Sequence, residues 1–189
     1  MTSPTTTSST RERLLEAAAG LLYREGVHVG VEALCREAGV SKRSMYQLFE
    51  SKDALVAASL ERSAPGYRAS LLPPDDAGGP RERILHVFRR LEEDAAGAGF
   101  RGCPFVAAAV ELKSPEHPAS RVARQGKGAL TEFFRTEAER GGAADPALLA
   151  RQLTVAFDGS SAWGVVQGSG LDGLAVQTAT VLLDAAGIP

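Results

Sequence analysis

The chain is poor in several residue types and patterns, and each scarcity removes a class of function. Cysteine occurs twice in 189 residues, at Cys35 and Cys103, and the two lie in different segments. That leaves no disulfide framework and no thiolate metal site. Histidine occurs only at His28, His86 and His117, without the spacing of a metal pair, so neither a metal nor another cofactor is expected. No Ser/His/Asp or paired-carboxylate arrangement emerges, which argues against an enzyme. No run of about 18 apolar residues exists to cross a membrane. The first residues lack the basic-then-apolar order of a secretory signal, so the chain reads as cytoplasmic. Excess charge is missing too: the formal net charge is −2, too small to coat nucleic acid wholesale.

What remains is the composition of an ordinary soluble protein, 44% hydrophobic and 23% charged, with enough length for a real core. Strand-like alternation is absent, and apolar residues recur at helical spacing, so the chain reads as all-α without internal repeats. Residues 1–9 are rich in Ser, Thr and Pro and are expected to form a tail. Ser9 and Glu12 have the spacing of a capping box for a first helix. Pro73 to Gly79 is a break, and Pro80 suits the first turn of a helix carrying Ile84, Leu85, Phe88 and Leu91. Helices are predicted over about 104–112, 118–140, 146–167 and 172–186.

The most informative stretch runs from residue 34 to residue 56. Leu34, Cys35, Ala38, Val40, Met45 and Leu48 are apolar at spacings that let two short helices pack. Gly39 between them supplies the positive φ that a tight turn needs. Ser41 is placed to cap the second helix. The residues left facing outward, Lys42, Arg43, Ser44, Tyr46 and Gln47, all carry donors for phosphates or base edges. Ser51 caps a longer helix reaching about residue 71. Two crossed helices with a donor-rich second member form a helix-turn-helix, which lays that member in the major groove of DNA. Residues 1–64 hold eight Lys or Arg and eight Asp or Glu. The positive charge is therefore local, at Lys42, Arg43 and Lys52, and non-specific affinity should be modest.

These residues resemble the N-terminal domain of TetR-type transcriptional regulators. The pattern comprises Leu14, Leu15, Ala18, Leu21 and Leu22 closed by Glu25 and Gly26, then Ala38-Gly39-Val40-Ser41, Met45-Tyr46, Leu48-Phe49 and Ser51-Lys52-Asp53-Ala54-Leu55. The chain departs from it at Gly30 and Val31, where a capping Thr or Ser is common, and at Gln47, where a larger ring or a basic side chain is frequent. The resemblance implies a three-helix DNA-binding domain over residues 10–56 and a helical ligand-binding and dimerisation domain over 57–189. It implies a homodimer joined through residues 146–186, a palindromic operator in double-stranded DNA, and a small-molecule effector that releases it. Ser41, Lys42, Arg43, Ser44, Tyr46, Gln47 and Lys52 become the expected DNA contacts. Tyr46 and Lys52 fall to phosphates, and Lys42, Arg43, Ser44 and Gln47 to bases or mixed contacts.

The effector pocket is expected among Phe88, Phe100, Cys103, Phe105, Val106, Phe133, Phe134, Phe157 and Trp163, with Glu111, Gln125 and Gln167 as polar anchors. Some family members sense electrophiles through a regulatory-domain cysteine, and Cys103 precedes a helix whose dipole could lower its thiol pKa. Two alternatives stay open: a helical small-molecule or protein-interaction module that no longer reads DNA, and an activator on the same fold.

Overall fold

The computed structural model describes residues 9–189; the expected tail lies, apart from Ser9, outside the described residues. Among the described residues there are nine helices and no strand: α1 (Thr10–Glu25), α2 (Val31–Ala38), α3 (Lys42–Leu48), α4 (Lys52–Leu71), α5 (Pro80–Ala95), α6 (Pro104–Leu112), α7 (Pro118–Arg140), α8 (Pro146–Gln167) and α9 (Leu174–Ala185). Short-range chemistry fixes most boundaries. Ser41, Ser51 and Asp145 cap α3, α4 and α8 through side-chain oxygens that accept from the N–H groups of Ser44, Ala54 and Leu148. Proline opens α5, α6, α7 and α8, where its missing N–H costs nothing. The last helix starts two residues later than expected, because Asp172 (φ 50°) and Gly173 (φ 86°) form a left-handed turn before it.

Two buried clusters divide the molecule. Leu14, Leu15, Ala18, Leu21, Leu34, Cys35, Ala38, Met45, Phe49 and Leu55 hold α1 to α3 against the start of α4. A larger cluster begins at Val56 and gathers Ile84, Val87, Phe88, Leu91, Phe134, Leu153, Phe157 and Leu183 from α5, α7, α8 and α9. Arg83 and Glu137 form an ion pair at 2.9 Å inside this second core, with side chains only 9% and 4% exposed. The Arg83 guanidinium also donates to the Pro74 carbonyl at 2.6 Å, which fastens the 73–79 break to the body.

Helix α4 belongs to both clusters. Leu55, Val56, Ser59 and Leu60 are buried, whereas the turns from Glu61 to Ser70 are exposed apart from the half-buried Ser63, Ala64 and Tyr67, and Leu71 is buried again. Pro65 lies within this loosely held middle. It cannot donate to the Glu61 carbonyl, so the helix is weakest where its packing is thinnest.

Two local expectations are corrected. Leu48 does not pack between the short helices; it is exposed, and Phe49 is buried in its place with the Arg11 guanidinium 5.3 Å from its ring centroid. The capping box at α1 is half formed. Ser9 Oγ accepts from the Glu12 N–H at 3.1 Å, but the Glu12 carboxylate turns away to accept from Arg62 Nε at 2.7 Å.

Candidate DNA-reading helix and effector cavity

The turn between α2 and α3 is built as the residue types require. Gly39 sits at φ 64°, ψ 40°, and Val40 donates back to the Cys35 carbonyl at 2.9 Å, closing α2 and swinging the chain into α3. Met45 is fully buried beneath α3. The opposite face exposes Lys42, Arg43, Tyr46 and Gln47 together. Ser44 is half-buried, and its hydroxyl is 2.9 Å from that of Ser41, so these two hydroxyls satisfy each other at the cap. Lys52 opens α4, next to the Ser51 cap. Sequence reasoning overlooked Glu32 in the first turn of α2, whose carboxylate pairs with Lys42 Nζ.

The expected pocket residues do not converge. Phe88, Phe134 and Phe157 are fully buried and pack on one another, Phe88 against Phe134 at 5.8 Å and against Phe157 at 6.2 Å between ring centroids. Phe133 supports the same stack, and Val106 packs half-buried on the core. Trp163 and Gln167 are exposed on the outer side of α8. Cys103 is 3% exposed and is the N-cap of α6, its N–H donating to Ser161 Oγ at 2.7 Å. Its thiol rests beside the Tyr67 hydroxyl, which burial first and Cys103 second hold protonated far above the usual tyrosine range.

Among the described residues, two cavities flank the middle of α4. The larger, of about 770 Å³, is a cleft open to solvent and bordered by the end of α1, by α4, by the segment from Leu91 to Gly102 and by α6. Tyr23, Tyr67, Phe100, Leu22, Leu60 and Leu91 supply its apolar wall, and Arg101, Ser63 and Glu111 are among its polar groups. The smaller, of about 270 Å³, lies between α4 and α7, with Tyr67, Pro65, Phe105, Leu71, Gln125, Lys127 and Leu130 around it. Of the expected residues, Phe100 and Glu111 reach the larger cavity, and Phe105 and Gln125 the smaller. Tyr67 borders both, a role no local pattern in α4 announced.

The larger cavity is wired to the short helices. Pro104, Ala107, Ala108 and Glu111 recur at i, i+3, i+4, i+7 and line it with one face of α6. Glu111 Oε2 accepts from the Val27 N–H at 2.7 Å, gripping the loop between α1 and α2. The grip is close enough to need glycine at Gly26 (φ 89°), where an added Cβ would lie 2.4 Å from that oxygen. Nearby, the Arg101 N–H donates to the Tyr23 hydroxyl at 3.0 Å. A third tie lies at the start of α7: His117 Nδ1 accepts from the Ala119 N–H at 3.1 Å while Nε2 lies 3.3 Å from Asp53 on α4.

A family model for bacterial regulatory proteins of the tetR family matches residues 14–59, the segment that contains α2, α3 and the first turns of α4. A TetR transcriptional regulator from Streptomyces avermitilis, known from its crystal structure, is 60% identical over 96% of this chain and 100% of that one, with a TM-score of 0.93. The chain belongs to the TetR family of transcriptional regulators. Members of that family regulate transcription through a helix-turn-helix and are not enzymes. More distant relatives are the HTH-type transcriptional regulator YjdC of Escherichia coli, 24% identical over 79% of this chain and 80% of its own length, and the HTH-type transcriptional repressor NemR of the same species, 32% identical over 57% of this chain and 56% of its own. Among the described residues no helix of this regulator is long and apolar enough to cross a membrane.

Proposed function

We propose that this TetR-family chain is one protomer of a homodimeric repressor that binds a palindromic operator and is released from it by a small molecule. The observation that carries the reading is the exposed face of α3, where Lys42, Arg43, Tyr46 and Gln47 project from a helix capped by Ser41 and seated on Met45. In this reading residues 10–56 are the reader and residues 57–189 the regulatory domain. Arg43 and Gln47 face base edges, Tyr46 and Lys52 hold phosphates, and the Ser41 and Ser44 hydroxyls serve the cap first. The repressive sense is taken from NemR, whose name states it.

The homodimer is supported by a stripe on α8. Leu148, Val155 and Val166 are exposed along it, with Gln152, Gly159 and Ala162 between them at alternating steps of three and four. Leu174 and Val181 extend the apolar surface onto α9. A two-fold axis through this face would bury it against itself in a four-helix bundle.

The effector is assigned to the larger cavity, whose volume lies in the range that small-molecule sites occupy, whereas the smaller falls below it. A ligand there displaces α4 and the Glu111 face of α6 together, and both lead to the reader. A hundredfold loss of operator affinity needs about 2.7 kcal/mol of coupling, an ordinary allosteric magnitude.

The test is selection of bound duplexes from a random pool. An enriched inverted repeat with salt-sensitive nanomolar affinity is the expected result. No enrichment, with only weak binding lost at modest salt, would instead favour a helical module that does not read DNA.

A further inference from the structure

Glu32 stands where the reader would otherwise attract a phosphate. It lies in the first turn of α2, whose N-cap Gly30 makes no side-chain hydrogen bond to the helix end. Its carboxylate folds back over that end, placing Oε2 3.7 Å from where a Cβ on Gly30 would be. The other oxygen, Oε1, pairs with Lys42 Nζ at the start of α3. The hydrogen bond from Lys42, and after it the Glu32 backbone, hold this carboxyl below its usual range, while Glu32 raises the Lys42 ammonium. Both groups therefore stay charged at neutral pH. A carboxylate resembles a backbone phosphate in charge and in acceptor oxygens, and here it occupies a cation of the reading face before any DNA arrives.

We propose that Glu32 is an internal phosphate mimic that cancels the charge of Lys42, so that Lys42 meets DNA as a hydrogen-bond donor and not as a phosphate counter-ion. The inference rests on the assignment of α3 as the reading helix. It supplies a local cause for restrained non-specific binding: of the two cations on the reading helix, Lys42 and Arg43, one is neutralised by its own chain. Specificity benefits, because affinity for phosphates alone falls while the Lys42 N–H groups not used by Glu32 stay available to a base edge.

The experiment measures affinity for a random-sequence duplex of about 30 base pairs across a salt series. Each freed lysine adds about 0.9 to the salt slope, so Glu32→Gln should steepen it by about 1.8 for a dimer. Its gain over wild type should then shrink roughly tenfold between about 50 and 200 mM salt. Lys42→Ala should make the slope shallower, because Glu32 is left facing the duplex alone. The double variant Glu32→Gln/Lys42→Ala should return to the wild-type slope. Glu37→Gln removes the same charge from the same helix, but from a pair with Arg24, and should leave the slope unchanged.

An unchanged or shallower slope in Glu32→Gln overturns the inference, and so does a double variant that stays steeper than wild type or a Glu37→Gln slope that steepens as much as that of Glu32→Gln. Arg43→Ala separates this failure from failure of the DNA-reading assignment. If that variant binds every duplex as the wild type does, α3 is not the reader and the inference falls with it.

Discussion

Truncating Val155 tests the assembly on which the functional account depends. Val155 is 72% exposed in the isolated protomer, in the middle of the apolar stripe on α8. Gly159 lies one turn away, and an added Cβ there would meet nothing within 4 Å. Such a surface is unfavourable in water and favours close approach of a second backbone. Val155→Ala removes two methyl-sized groups from each protomer. At about 0.8 kcal/mol per buried CH₂, scaled by the exposed share and counted on both protomers, the dimer should lose about 2 kcal/mol. The dimer dissociation constant should then rise roughly thirtyfold. Sedimentation equilibrium across a wide concentration range measures this directly. Val110→Ala is the control, since Val110 is 65% exposed on α6, away from that stripe. Equal dissociation constants for Val155→Ala and wild type, or an equal effect of Val110→Ala, would refute the assignment of this face.

Four further outcomes are expected. Gly39→Ala places a Cβ at φ 64° in the turn before α3 and should cost about 1–2 kcal/mol; an unchanged thermal midpoint would count against a strained turn. On a selected operator, Arg43→Ala should cost about 1–3 kcal/mol and relax preference at one base step, whereas Lys52→Ala should weaken all duplexes alike; exchanged patterns would reverse the two roles. Arg83→Met leaves Glu137 buried with only Arg140 at 2.8 Å as a partner and should cost about 3 kcal/mol in denaturant unfolding. A cost within error would show that the pair does not hold α5 to α7. Burial raises the Asp158 carboxyl above its usual range, against the opposing pull of Lys127. The folded chain thus binds a proton there more tightly than the unfolded chain, so stability should fall as pH rises from the unfolded value through the raised folded one. Asp158→Asn should flatten that part of the stability profile, and an unaltered profile would contradict it.

Helix ends, the turn at Gly39 and the exposed donor-bearing face of α3 were legible in the sequence because each depends on residues within one or two turns. Ser41, Ser51 and Asp145 cap their own helices, and proline fits a first turn whatever lies around it. The lining of the cavities was not legible, because burial on a helix depends on which neighbour covers which side. Phe88, Phe134 and Phe157 share the residue type and helical setting of Phe100 and Phe105, yet the first three fill the core and the last two reach cavities. Tyr67 borders two cavities only because α4 packs on α7 while α6 supplies residues to both, among them Pro104 to the larger and Phe105 to the smaller. The tie from Glu111 to Val27 spans 84 residues, and no local pattern marks it. The shift of burial from Leu48 to Phe49 shows the same limit at short range. One residue beyond the end of α3 the backbone turns extended, and the side chain points inward where helical periodicity would have sent it elsewhere.

The central claim is that α3 of each protomer enters a major groove. Guanine N7 methylation interference on the selected duplex measures this most directly, since N7 lies in that groove. The account predicts interference at guanines in two symmetric half-sites about one helical turn apart or slightly more, with one position in each lost in Arg43→Ala. Interference confined to a single half-site, or a pattern identical in wild type and Arg43→Ala, would contradict it.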